Sequence, residues 1–252
     1  VSETLSRILG PGFAATWVEE TGSTNDDLKE AARSGAPPWT VLVASRQRQG
    51  RGREGRRWES PEGNLYLSVL LRPDAAWAGV LPLAAGVAVG EAAQELGVRP
   101  ELKWPNDVMV SGRKIAGILV EGLSSGGSLE AAVVGVGMNL AACPESLEGA
   151  ATSVRDEAGR TPDPLETAGR VLGRLRIWYD SLGRDGPRPV LEAFRARSVP
   201  WWGKGVEVFR RGERVAGTLR DLDPRGGLVL ELEDGSRTTL LSGEARALRP
   251  LS

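Results

Sequence analysis

Six arginines fall within residues 46–57, interleaved with Gly50, Gly52 and Gly55 and followed at once by Trp58. Forked guanidinium groups match phosphate or carboxylate, and glycine backbone N–H groups can approach an anion closely, so this stretch could close over an anionic nucleotide. A second polar cluster, Lys103-Trp104-Pro105-Asn106-Asp107, sets a cation, an amide and a carboxylate at a rigid turn beside an aromatic ring. Lys114 follows at the head of an apolar run. Lysine is scarce here: Lys29, Lys103, Lys114 and Lys204 are the only four, and two of them lie within residues 103–114. The chemistry such a set offers is that of Lys, Arg, carboxylate and backbone groups.

The rest of the composition removes alternatives. The chain of 252 residues contains no histidine, which excludes Ser-His-Asp and Cys-His nucleophile pairs, HExxH zinc proteases and an imidazole general base. A single cysteine excludes an intramolecular disulfide and any multi-cysteine metal site. With 32 basic and 33 acidic residues the net charge is −1, without the basic excess of a general nucleic-acid binder. No apolar run approaches a membrane-spanning helix; the longest candidate, residues 80–89, continues into Glu91. The N-terminus has no charged-then-apolar signal pattern, so the sequence reads as a soluble cytoplasmic protein.

Each motif also has a plainer reading. Gly50-Arg51-Gly52-Arg53-Glu54-Gly55 formally satisfies the dinucleotide fingerprint, but no strand runs into it and no helix opens from it. The arginines with Trp58 could bind nucleic acid, or could form a solvated loop. Lys103 to Asp107 could simply turn the chain between strands, and Lys114 could be a snorkelling edge residue. Ser23-Thr24-Asn25 could be a helix N-cap, and Gly135 with Gly137 could serve close strand packing or line a pocket.

The elements that must position these groups follow from local pattern. A polar start at residues 23–27 opens a short helix ending at Gly35 and Pro37-Pro38. Residues 40–45 and 65–71 are strands, and residues 46–64 between them have no period, a long loop of the kind that is commonly functional. A buried helix over 79–96 precedes a short run at 101–104 and a hairpin of 108–110 with 114–123 through Ser111-Gly112. A strand at 129–139 and helices at 164–182 and 189–197 complete the larger part. After Pro200-Trp201-Trp202-Gly203, five short runs separated by glycine turns predict a small β-barrel. The expected division is residues 1–200 and 201–252.

The ordered set Ser23-Thr24-Asn25, Gln47-x-x-Gly50-Arg51-Gly52-Arg53-x-Gly55-Arg56-x-Trp58, Asn64-Leu65-Tyr66-Leu67-Ser68, Lys103-Trp104-Pro105-Asn106-Asp107, Gly112-Arg113-Lys114-x-Ala116-Gly117-Ile118-Leu119-Val120-Glu121 and Gly135-x-Gly137-x-Asn139 resembles biotin protein ligases over nearly the whole chain. The resemblance implies an α+β catalytic domain related to class II aminoacyl-tRNA synthetases, followed by a small SH3-like β-barrel. It implies activation of biotin with ATP and Mg2+ to biotinyl-5′-adenylate, then transfer to one lysine of a biotin carboxyl carrier protein. Ser23, Thr24, Asn25, Gln47, Gly50, Gly52 and Gly117 would surround biotin together with Arg51, Arg53 and Lys114, and those three cations would also be catalytic. Arg56, Trp58, Lys103, Asn106 and Asn139 would join Arg51 and Arg53 around ATP or the adenylate, and Asp107 would be a base or orienting group in amine attack.

No metal ligand is assigned. Lipoate and octanoate transferases make the same linkage, but their matching set includes a histidine-bearing segment absent here. Only 22 residues precede Ser23, which predicts a monofunctional ligase that binds no DNA and no membrane. Gln49 stands where a small residue usually precedes the first loop glycine. Oligomeric state is not legible.

Overall fold

Alternating apolar residues build the framework of this computed structural model, in which residues 8–144, 147, 149–210 and 212–247 are described. Strands β1 (Ala14–Thr21), β2 (Thr40–Gln47), β3 (Leu65–Leu71), β4 (Glu101–Lys103), β5 (Asp107–Val110), β6 (Arg113–Ser125) and β7 (Ser128–Met138) form one sheet of order β1-β2-β3-β7-β6-β5-β4. The first two run parallel and the remaining neighbours antiparallel. Because side chains alternate across a strand, β2 and β7 each supply two faces. Leu42, Ala131 and Val133 pack with Leu70 and Leu28 under helix α1 (Thr24–Arg33). Val41, Val43, Val134 and Val136 point the other way into the main core.

That core is covered by α2 (Leu81–Glu95), and α3 (Val154–Ala158), α4 (Pro164–Asp185) and α5 (Arg188–Arg197) follow in the chain. Eleven of the fifteen residues of α2 are buried, which is why its sequence is apolar on every side rather than along one stripe. The hairpin between β5 and β6 turns on Ser111 (φ 50°) and Gly112 (φ 77°), the paired positive φ values that a two-residue turn with right-handed strand twist needs.

The second sheet contains β8 (Gly205–Arg210), β9 (Glu213–Leu222), β10 (Leu228–Glu231), β11 (Arg237–Leu240) and β12 (Glu244–Ala247), in the order β11-β10-β9-β8-β12, all antiparallel. These are the five expected runs, separated at the expected glycine turns. Val206, Val208, Leu219 and Leu230 join the same buried cluster as α2 and the large sheet, so one core runs through both parts. Trp104 Nε1–H donates to the Gly226 carbonyl at 2.9 Å, which ties the Lys103 to Asp107 turn to the second sheet. No helix among the described residues is long and apolar enough to cross a membrane.

Three local features differ from the sequence expectation. The strand β1 has no clear alternation, because it lies at the sheet edge with most of its side chains exposed. The short α3 was not expected; Ser153 caps it by accepting from the Asp156 N–H. The arginine segment is not a structureless loop. Gly52 N–H donates to Arg56 O at 2.7 Å and Trp58 N–H to Gly50 O at 2.9 Å, folding residues 50–58 into a small hairpin around a 3-10 turn at Arg53–Gly55. Its pairing runs across a tight turn, so no period appears along the chain.

This hairpin rests on the second sheet. Arg53 Nη1 donates to Gly243 O at 3.1 Å, and Arg56 Nη2 to Glu244 Oε2 at 2.8 Å. Burial alone would raise the Glu244 carboxyl; the bond from Arg56 and the charges of Arg56, Arg246 and Lys103 outweigh it and hold the group below the usual carboxylate range.

Two predictions follow from these contacts. A Cβ on Gly135 would overlap Asn25 Oδ1, so Gly135→Ala should destabilise the protein by about 1–3 kcal/mol in urea unfolding, as overpacking does; an unchanged midpoint would mean that α1 shifts at no cost. Glu244→Gln should free the arginine hairpin and speed tryptic cleavage within residues 48–57 several-fold, whereas cleavage at the wild-type rate would show that the Arg56 contact does not hold it.

Candidate active site

Helix α1 begins where the sequence predicts, and its first turn makes one wall of a cavity. Ser23 takes the N-cap backbone conformation (φ −157°, ψ 125°), but its side chain makes no capping bond. Instead the orphan Thr24 N–H of that first turn is satisfied by Gln47 Oε1 at 2.9 Å, from the end of β2. Thr24 Oγ1 donates to the same Gln47 oxygen at 3.1 Å, while Gln47 Nε2 donates to Ser60 Oγ at 3.2 Å. Ser68 Oγ, buried on β3, donates to Asn25 Oδ1 at 2.6 Å and lies 2.7 Å from Thr24 Oγ1. The polar groups of Thr24 and Asn25 are thus fixed, and they and Ser23 are all buried yet border the cavity.

The floor is the large sheet where it carries no side chains. Gly135 and Gly137 lie on the α1 face of β7, and their register partners are Ser68 and Leu119 for the first, Tyr66 and Gly117 for the second. Asn25 sits over Gly135. Trp58 sits over Gly137 and Gly117, where a Cβ would come within 2.5 Å and 3.0 Å of the indole respectively. Trp58 Nε1 is buried with no hydrogen-bond partner among the described residues. Lys114 Nζ lies 5.3 Å from the Trp58 ring centroid and 2.5 Å from Asp107 Oδ1. The lysine is therefore held between a carboxylate and an aromatic face.

Arginines close the cavity opposite. Arg51 Nη2 donates to Asp26 Oδ1 at 2.6 Å and to both Glu121 oxygens at 2.8 and 3.0 Å. Arg53 Nη1 also reaches Asn106 Oδ1 at 3.3 Å, and Asn106 Nδ2 donates to Ile118 O at 2.7 Å. Burial lowers the Arg53 guanidinium from its ordinary value, against the opposing pull of Glu54 and Asp107. Burial alone would raise the Glu121 carboxyl, but hydrogen bonds from Asn25 and Lys29 and the charges of Arg51 and Lys29 hold it below the usual carboxylate range.

The enclosed volume is about 380 Å³, within the range of small-molecule sites. Of the residues singled out from the sequence, Ser23, Thr24, Asn25, Gln47, Arg51, Gly52, Arg53, Arg56, Trp58, Lys103, Asn106, Asp107, Lys114 and Gly117 border it. Two do not. Gly50 lies beneath the hairpin, where a Cβ would overlap the Trp58 carbonyl oxygen, so it shapes the loop from behind. Asn139, expected at the adenylate, is buried and already bonded: its Nδ2 donates to Thr152 O at 3.0 Å, its N–H to Ile115 O, and its carbonyl accepts from Val154 N–H. These bonds pin the start of α3 to β6.

Sequence reasoning missed Ser68, Glu121, Asp26, Lys29 and Glu244. Ser68 and Glu121 end two of the quoted motifs, but their partners lie 43 to 96 residues away, so nothing local marked their roles. Among the described residues no group of three His, Cys, Asp or Glu could hold a metal ion.

Known proteins match this chain over most of its length. Residues 17–139 match the Biotin/lipoate A/B protein ligase family, and residues 202–245 match the Biotin protein ligase C terminal domain. The biotin–acetyl-CoA-carboxylase ligase of Mycobacterium tuberculosis is 38% identical over 235 residues, which cover 89% of this chain and 85% of that protein. Its counterpart from Paracoccus denitrificans is 35% identical, covering 83% of this chain and 91% of its own. Among solved structures, the biotin protein ligase of Aquifex aeolicus in complex with biotin and ATP superposes with a TM-score of 0.81 at 32% identity, covering 93% of this chain and 99% of its own. Both matched segments and relatives 38% and 35% identical over most of the chain agree, and the chain belongs to the biotin protein ligase family.

Proposed function

We propose that this protein condenses biotin with ATP to biotinyl-5′-adenylate and pyrophosphate, then passes the biotinyl group to one lysine of a biotin carboxyl carrier protein. The observation that carries this reading is a single cavity in which neutral hydrogen-bonding groups, Ser23, Thr24, Asn25 and Gln47, face a cationic end made by Arg51, Arg53, Arg56 and Lys114. Donors and acceptors without net charge suit the ureido ring of biotin. The cations suit its carboxylate and the phosphates of ATP.

In the first step an ionised carboxylate oxygen attacks the α-phosphorus, and the bond from that phosphorus to the bridging oxygen breaks to release pyrophosphate. The carboxylate is already deprotonated at neutral pH, so no base is needed, consistent with a chain that has no histidine. The obstacle is repulsion between two anions, which Arg51, Arg53 and Lys114 reduce. Trp58 and its free indole N–H, with Lys103, Asn106 and Arg56, lie where the nucleotide would rest.

In the second step a lysine Nζ attacks the acyl carbon and AMP leaves. Only about one lysine in a thousand or fewer is neutral at pH 7, so the ammonium must give up a proton before its lone pair can attack, and a second proton leaves as the amide forms. Asp107, a cavity-lining carboxylate already paired with Lys114, both orients that lysine and offers a site for the proton. Mg2+ would arrive with ATP; a single carboxylate such as Asp107 beside phosphate oxygens and water fits the way this ion is held, and it would offset charge on the phosphates. We assign residues 1–200 to biotin and ATP, and residues 201–252 to a supporting unit that meets the arginine hairpin through Gly243 and Glu244.

Biotin-dependent exchange of labelled pyrophosphate into ATP should be readily detected, and its absence from folded protein would contradict the reading. Lys114→Ala should slow that exchange by about 100-fold or more while shifting unfolding by no more than about 1 kcal/mol, because the ammonium acts through charge at the transferred phosphoryl group. Activity kept within a few-fold would make Lys114 an edge residue only. Arg53→Ala should release biotinyl-5′-adenylate about 10-fold faster, read as free adenylate in the filtrate, since Arg53 joins the hairpin to both Asn106 and Gly243. Unchanged retention would remove the hairpin from that role.

A further inference from the structure

Glu121 borders no part of the cavity, yet its carboxylate meets two residues that do. Oε2 accepts from Asn25 Nδ2 at 2.8 Å and from Arg51 Nη2 at 2.8 Å; Oε1 accepts from Lys29 Nζ at 2.9 Å and again from Arg51 at 3.0 Å. Lys29 and Arg51 both reach Asp26 as well, at 2.8 and 2.6 Å. Two carboxylates and two cations therefore form a closed, charge-balanced square that joins α1, β6 and the arginine hairpin.

We propose that Glu121 is a positioning residue for the carboxylate end of biotin: it fixes Arg51 and sets the orientation of the Asn25 amide without touching ligand. This inference rests on the ligase reading above. The geometry separates the two edges of Arg51. Nη2 is taken by Glu121 and Asp26, while Nη1 and Nε have no protein partner among the described residues, so the guanidinium is held by one edge and can offer the other to an anion. Lys29 matters to the balance. By sharing both carboxylates it prevents them from cancelling the charge of Arg51 alone. For Asn25, an amide whose Nδ2 is committed to Glu121 and Leu119 O, at 2.8 and 3.3 Å, must turn Oδ1 toward Ser68. Without Glu121 the amide could flip, and Arg51 would regain the rotamer freedom of a long exposed side chain.

The test compares wild type, Glu121→Gln, Arg51→Gln and the double variant in biotin-dependent pyrophosphate exchange and in retention of biotinyl-5′-adenylate by the whole chain. Glu121→Gln should raise the KM for biotin about 10-fold and speed loss of adenylate several-fold, with KM for ATP changed less than 2-fold, and Glu121→Asp should recover part of the loss. On the Arg51→Gln background the Glu121 substitution should change adenylate loss less than 2-fold, because its effect passes through Arg51. Wild-type KM and retention in folded Glu121→Gln, or a full additional loss in the double variant, would overturn the proposal. If Glu121→Gln does not fold, Asp26→Asn, which loosens the same Nη2 edge, should show the same split, and wild-type behaviour there would overturn it equally. Wild-type protein inactive in the same assay would instead contradict the ligase reading itself.

Discussion

Gly135 and Gly137 occupy successive positions on one face of β7, with Gly117 beside the second on β6, so the sheet here has a surface without side chains. A sheet elsewhere holds its neighbours off by the length of a valine or leucine. At this patch, Asn25 from α1 and Trp58 from the arginine hairpin come down nearly onto the backbone, each over its own glycine. The cavity is the space these two leave between them. Restoring a Cβ at either position would push one wall away from the floor, which makes this absence of side chains the constraint on which the site depends.

The second requirement is electrostatic. Two like charges about 4 Å apart in a protein-surface dielectric of about 20 repel by roughly 4 kcal/mol, so six arginines within residues 46–57 cannot fold together uncompensated. The structure gives them separate anchors. Arg46 and Arg48 pair with glutamates of β1 and the loop, Arg51 with Asp26 and Glu121, Arg56 with Glu54 and Glu244, while Arg53 takes neutral carbonyl oxygens and Arg57 reaches the Arg48 carbonyl at 3.5 Å. Arg53 forms no ion pair among the described residues, and it is partly buried at the cavity, where its field reaches farthest. Folding and catalysis place different demands on these residues, and the chain meets both by pairing Arg46, Arg48 and Arg56 with glutamates, holding Arg51 through Nη2, and giving Arg53 only neutral acceptors.

Much of the framework was readable because it is local. The β-rich apolar runs at residues 65–71 and 129–139, the Ser111-Gly112 turn and the apolar helix near residues 81–95 need only a few neighbours to be recognised. The edge strand β1 escaped notice because exposure on both sides erases alternation, and the hairpin at residues 50–58 because its bonds cross a turn. The site divides in the same way. Residue types and order brought Lys114, Asp107, Trp58 and the arginines to attention. Glu121 and Glu244 act through contacts from 70 to 188 residues away, which no spacing rule can see. Asn139, at the end of the last quoted motif, holds backbone: its Nδ2 donates to Thr152 O, a contact that residue type and spacing do not announce.

The proposed reaction requires an adenylate held under the hairpin until a carrier lysine arrives. The most direct test mixes the protein with biotin and α-labelled MgATP, without any carrier, and separates protein from small molecules by rapid gel filtration. The account predicts close to one biotinyl-5′-AMP per chain eluting with the protein, formed only when biotin is present. Folded protein that retains no labelled adenylate, or that consumes ATP equally with and without biotin, would contradict it.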